Sequence, residues 1–155
     1  MNQNQHRLLR DLLVAAAACL LWFLLVSVGT YVTLRFTSAG QLMTELESAR
    51  QGRRDLTGVL VGYGDPWMLL IETLPRLLWL VGAVATVAAG IFVGALTSGR
   101  SSWPPAVAAA VVASVLVLVE PTSPANWVRA GAVAVMLWAS GVLVMRSRRQ
   151  IGRVE

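Results

Sequence analysis

The chain has 155 residues, of which 56% are hydrophobic and only 14% charged, with a mean hydropathy of +0.65; a soluble domain carries nearer a quarter charged residues. All 13 basic residues are arginine, so no lysine is available as a Schiff-base or general-base amine. A single cysteine, Cys19, excludes an intrachain disulfide and a thiolate metal cluster, and the single histidine, His6, sits in a polar tail and leaves no raw material within the spans for a zinc hydrolase site, a bis-histidine haem or a serine–histidine dyad.

These exclusions point to a membrane protein with no catalytic residues, no metal and no cofactor. The formal net charge of +5 is spread over tails and loops. Membrane lipids are therefore the expected electrostatic partner, and nucleic acid is not.

The first uncharged run, residues 12–34, would make a helix of about 35 Å, enough to cross a hydrocarbon layer of about 30 Å. Ala16-Ala17-Ala18-Cys19 looks like a lipoprotein cleavage site behind the basic Arg7 and Arg10. The apolar run continues too far beyond Cys19 for a removable signal, and Cys19 reads as a small packing residue.

The outer loop, residues 36–66, is too short to bury a core of its own. Ser38 with Gln41 three positions on has the pattern of a capping box, and Leu42, Met43, Leu46 and Ala49 recur at helical spacing before Gly52. A short amphipathic helix over 39–51, lying on the membrane interface, is expected. Gly58, Gly62 and Gly64 make 57–65 read as a flexible approach to Pro66.

The second span is expected at about 76–98. Gly82, Thr86, Gly90 and Gly94 fall at intervals of four along it, a helix-packing stripe that lets another backbone come close. A third span, 104–119, opens with Pro104-Pro105 and stops at Glu120-Pro121. Ala106, Ala110 and Ser114 form its small-residue face. The fourth, 126–145, must carry Arg129 about one turn inside to reach across, with Ala130 and Ala134 as its small positions.

Arginines at the span ends set the expected orientation. Arg7, Arg10, Arg100, Arg146, Arg148, Arg149 and Arg153 lie on one side, which the dense cluster after the fourth span marks as cytoplasmic, with both termini there. Glu72, Arg76, Glu120 and Arg129 then share one level near the outer edge of the hydrocarbon. Glu72 and Arg76 are an i,i+4 pair if the helix runs through Pro75, and bridge a bend if a new helix starts there. Snorkelling to headgroups, a structural ion-pair network and a substrate or proton path all remain open for this outer-leaflet cluster.

The reading is thus an all-α, integral membrane four-helix bundle of a bacterial cell membrane. Its expected role is that of a non-enzymatic accessory or assembly subunit, partnered by another membrane protein or by itself. The alternative is a small transporter or channel whose outer vestibule carries the four charges.

Overall fold

The computed structural model describes residues 3–52, 55–97, 103–119 and 124–151. Those residues form helices α1 (Gln3–Phe36), α2 (Ser38–Arg50), α3 (Leu56–Gly62), α4 (Leu74–Leu96), α5 (Trp103–Val119) and α6 (Pro124–Ile151), with a π-helical stretch, Met68–Thr73, leading directly into α4. No strand occurs among the described residues. Three rods are long and apolar enough to cross a membrane: Gln5–Phe36, Met68–Leu96 and Pro124–Arg148. The fourth apolar helix, α5, has 17 residues, about 25 Å at the helical rise.

Burial follows the logic of a chain solvated by lipid. Only 17% of the most apolar window of α1 is buried, and Leu13, Leu20 and Leu24 stand open on its outside. In water such a surface would drive aggregation; hydrocarbon solvates it as well as another helix would.

The chain divides into two compact units, one of Met1–Leu24 with Ala83–Glu155 and one of Leu25–Gly82, and both divisions fall inside helices α1 and α4. In the first unit, α5 and α6 form an antiparallel hairpin. The Asn126 side-chain amide donates to the Leu116 carbonyl near its turn, and Gly141 lies against Pro105 at its other end. The buried face of α5 is Pro104, Pro105, Ala108, Ala109 and Val112. The expected face fails here: Ala106, Ala110 and Ser114 are exposed, and Ser114 turns its hydroxyl back to the Ala110 carbonyl. The two prolines, free of helical N–H obligations in a first turn, are the residues that go inside.

The second unit holds together through caps and turns. Thr37 closes α1 and opens α2 in one residue. Its N–H and its hydroxyl both donate to the Thr33 carbonyl, at 3.2 and 2.6 Å, while its Oγ1 accepts from the Gly40 N–H at 3.1 Å. The cap of α2 is therefore Thr37 rather than Ser38, and the helix begins one residue earlier than expected. Threonine wins because it alone has the extended backbone of a cap, φ −103° and ψ 150°. Gly52 ends α2 in the left-handed region, φ 73°, donating its N–H to Ala49, as a helix terminator should.

Residues 57–65 are not the flexible approach expected from their glycines. Asp55 accepts from the N–H groups of Thr57 and Gly58 and nucleates α3, a cap strong enough to offset two helical glycines. Asp65 does the same for the next rod, accepting from Met68 N–H at 3.1 Å with Pro66 in the first helical position.

That rod runs through Pro75, and the π-helical stretch explains how. Proline has no N–H and its ring collides with the carbonyl four residues back in α geometry. Widening the preceding turns shifts the ladder by one, so Leu74 N–H reaches Leu69 instead, and the ring is accommodated without a break.

Candidate functional site

The helix-packing stripe of α4 divides among different neighbours. Gly90 and Gly94 lie backbone to backbone with α6: a β-carbon on Gly90 would come within 2.6 Å of the Leu137 carbonyl oxygen and collide with the Ser140 hydroxyl. One on Gly94 would strike Gly141, whose Cα would be 3.0 Å away. Thr86 is fully buried and accepts a hydrogen bond at 3.0 Å from the indole N–H of Trp22 on α1. Gly82 belongs to the other unit, and a β-carbon there would meet no atom within 4 Å. Sequence spacing alone did not reveal the partners of the stripe. Gly141 is the residue where α4, α5 and α6 all touch, yet it stands alone among larger residues and repeats at no interval.

Of the four charges placed in an outer-leaflet cluster, one pair is formed. Arg76 Nη2 lies 3.2 Å from Glu72 Oε2, with both side chains largely exposed. Glu72 is in the π-helical stretch and Arg76 in the first turn of α4, so the ion pair spans the proline from one side. Arg129 is an exposed residue of α6 in the other unit, and Glu120 lies outside the described residues.

Two features escaped the sequence. Asp11, immediately before the first apolar run, is only 5% exposed. Its Oδ1 has no hydrogen-bond partner among the described residues, its nearest cation being the neighbouring Arg10 at 3.9 Å. A charge beside a span reads as a solvated flank, and only the fold buries it.

The second is a cleft of about 800 Å³ in the corner where α2 folds back from α1. The corner is tight because Gly40 lies on the backbone of Thr33 and Leu34, with no room for a side chain. Tyr31, Leu34, Arg35 and Phe36 line it from the last turns of α1, and Gln41, Thr44, Glu45 and Ser48 from one face of α2. The Gln41 amide donates to the Arg35 carbonyl at 3.4 Å and ties the two walls together. On the buried side of α2, Ala39 and Leu42 are wholly enclosed, and the helix also packs on α3 and the π-helical stretch. Met43, counted with the apolar set from sequence, faces out.

No group of three or more histidine, cysteine or acidic side chains able to hold a metal occurs among the described residues. Cys19 is half-buried, its sulfur 3.9 Å from the Ala108 carbonyl, a packing contact between α1 and α5. These elements define a class: an all-helical protein with three helices long and apolar enough to span a membrane. Comparison with known proteins adds no narrower one, since no protein-family model, no curated protein and no solved structure matches this chain.

Proposed function

We propose that the protein is a four-span, non-enzymatic subunit of a bacterial plasma membrane complex, with both termini cytoplasmic and α2 lying at the outer interface. In this reading α5 is the third span, at about 25 Å a short one that crosses steeply or thins the bilayer around it.

One observation carries the accessory role: the segment between the first two spans is a built platform with apolar residues left facing out. Capped helices α2 and α3 pack on one another, and Leu56, Val61 and Trp67 remain open, Val61 at 78%. Ordering this segment costs chain entropy. Rigid exposed apolar side chains next to polar ones are what a docking surface offers.

The test is purification at native expression levels in mild detergent, comparing wild type with Val61→Arg. The subunit reading expects stoichiometric recovery of a different membrane protein from wild type and loss of that protein from the variant. Recovery of self-associated chains alone, with an ion flux that vanishes in Glu72→Gln, would replace it with the channel reading.

A further inference from the structure

We propose that Asp11 on α1 and Thr97 at the end of α4 hold an alkali-metal cation, sodium or potassium, at the end of the first unit where α5 begins. The placement follows from contacts inside that unit. The Trp22 indole of α1 donates to Thr86 of α4, Cys19 lies on Ala108 of α5, and Gly94 and Pro105 both meet Gly141 of α6. From Thr86 toward that meeting point α4 numbers rise, whereas α1 passes from Trp22 to Cys19, so α1 reaches Asp11 at the end where α4 reaches Thr97. Asp11 is eleven residues from Trp22, and Thr97 eleven from Thr86. Eleven residues are about three turns, which returns each residue to the face of its interacting predecessor, and both are buried, at 5% and 6% exposed.

A carboxylate enclosed in a bundle needs hydrogen-bond donors or a countercharge. Here donors are withheld. Asp11 Oδ1 accepts no hydrogen bond among the described residues, and Arg10 Nε, at 3.9 Å, is beyond hydrogen-bond distance. The Arg10 side chain is 55% exposed and, as the next residue, is turned about 100° from the buried face, so it attracts the carboxylate from outside without entering the site. Thr97 gives its hydroxyl proton to the Val93 carbonyl at 2.9 Å, with the Gly94 carbonyl at 3.4 Å, and keeps only lone pairs to offer. The start of α5, Trp103-Pro104-Pro105, lacks two of the N–H groups with which a helix N-terminus would meet an anion.

The last carbonyls of α4 add partial negative charge at the same end, and the one charged group that answers them, the exposed Arg148 of α6, donates to the Ala95 carbonyl. An oxygen-rich, donor-poor end suits a hard cation, which takes carboxylate, hydroxyl and carbonyl oxygens as ligands. Charge balance sets the class. One carboxylate among neutral oxygens matches a single positive charge, and a divalent ion would leave an excess charge buried. Such an ion does not need the group of three acidic, histidine or cysteine side chains that is absent among the described residues.

The experiment is equilibrium binding of radioactive sodium to the full chain in detergent, with thermal melting in sodium, potassium and N-methyl-D-glucamine chloride at one ionic strength. The expected result is one ion per chain, displaced by unlabelled sodium or potassium chloride, and a melting temperature that rises with either alkali salt as ligand linkage requires. Asp11→Asn removes both responses. Thr97→Val weakens ion binding by about tenfold or more, the loss that follows removal of a supporting group at a metal site, and Thr97→Ser, which keeps the oxygen, recovers it. A wild-type chain that binds no sodium and melts alike in the three salts overturns the proposal, its carboxylate then being satisfied by a proton or by water. Ion binding that survives in Asp11→Asn overturns it as well and puts the ion elsewhere. Where Asp11→Asn does not fold, the Thr97 variants decide: equal ion affinity in Thr97→Val and Thr97→Ser overturns the site. The inference does not rest on the subunit role, which the recovery of a partner protein tests separately.

Discussion

The unit of Met1–Leu24 with Ala83–Glu155 and the unit of Leu25–Gly82 differ in what is most prominent in their stabilisation. The interior of the first sets small side chains among larger ones: Ala15, Ala18, Ala85, Ala89, Ala108 and Ala109 are buried together with Trp22, Val93, Val112 and Leu137, and Gly90, Gly94 and Gly141 bring backbones together. The second relies on polar side chains that finish helices, with Thr37, Asp55 and Asp65 each accepting from a backbone N–H at a helix start.

The two devices suit different solvents. Where lipid surrounds a helix, its apolar residues gain nothing by touching another helix, so attraction comes from close backbone approach and a few buried hydrogen bonds. Where a short helix begins near water, free N–H groups are the problem, and a cap solves it locally.

Substitutions can break each kind of stabilisation separately. The largest effect is expected for Gly94→Ala. Alanine improves helix propensity by up to about 1 kcal/mol, but its methyl meets the Gly141 backbone, which cannot swing away as a side chain would. Overpacking of this type costs about 1–3 kcal/mol, so the variant should melt at lower temperature in detergent. Gly131→Ala, where a β-carbon meets nothing within 4 Å, should be neutral or slightly stabilising. Equal behaviour of the two would mean that α4 and α6 are not in contact.

Next in size is the hydrogen bond from Trp22 to Thr86. A double-mutant cycle of Trp22→Phe and Thr86→Val should give a coupling of about 0.6 kcal/mol and at most about 1.7, the span measured for buried polar pairs between membrane helices. Zero coupling would remove the polar link between α1 and α4.

The smallest global change belongs to Asp55→Ala. A lost cap costs about 1 kcal/mol, but a seven-residue helix unfolds locally before the whole chain does. Amide exchange should rise across Leu56–Gly62 while the global melting temperature moves little. Concerted exchange throughout both units would show that the two are one cooperative structure.

The stretch around Pro75 shows where local chemistry and fold meet. The i,i+4 spacing of Glu72 and Arg76 was readable, and their ion pair formed, because both residues lie on one continuous rod and no distant element is needed to bring them together. That the rod would pass the proline by widening into π geometry was not readable, since a bend satisfies the same local constraints. The glycines of 57–65 read as flexible, and the cap that Asp55 supplies to α3 was not read from the sequence. In the structure the cap prevails, because α3 also packs on α2 and buries Val59.

Composition, run length and permanent charge by themselves determined an all-helical chain with helices long and apolar enough for a membrane. Those properties follow from hydrogen-bonding every peptide group without water, which each segment can satisfy alone. Only tertiary structure decided that Gly90 and Gly94 meet Leu137, Ser140 and Gly141, that α5 turns its prolines inward, that Asp11 is enclosed, and that Arg35 and Glu45 face a common cleft. Each of these depends on the separation of residues far apart in the chain or across a turn, set by crossing angles and by the absence of a single methyl at Gly40, and periodicity along one helix contains no information about its neighbour.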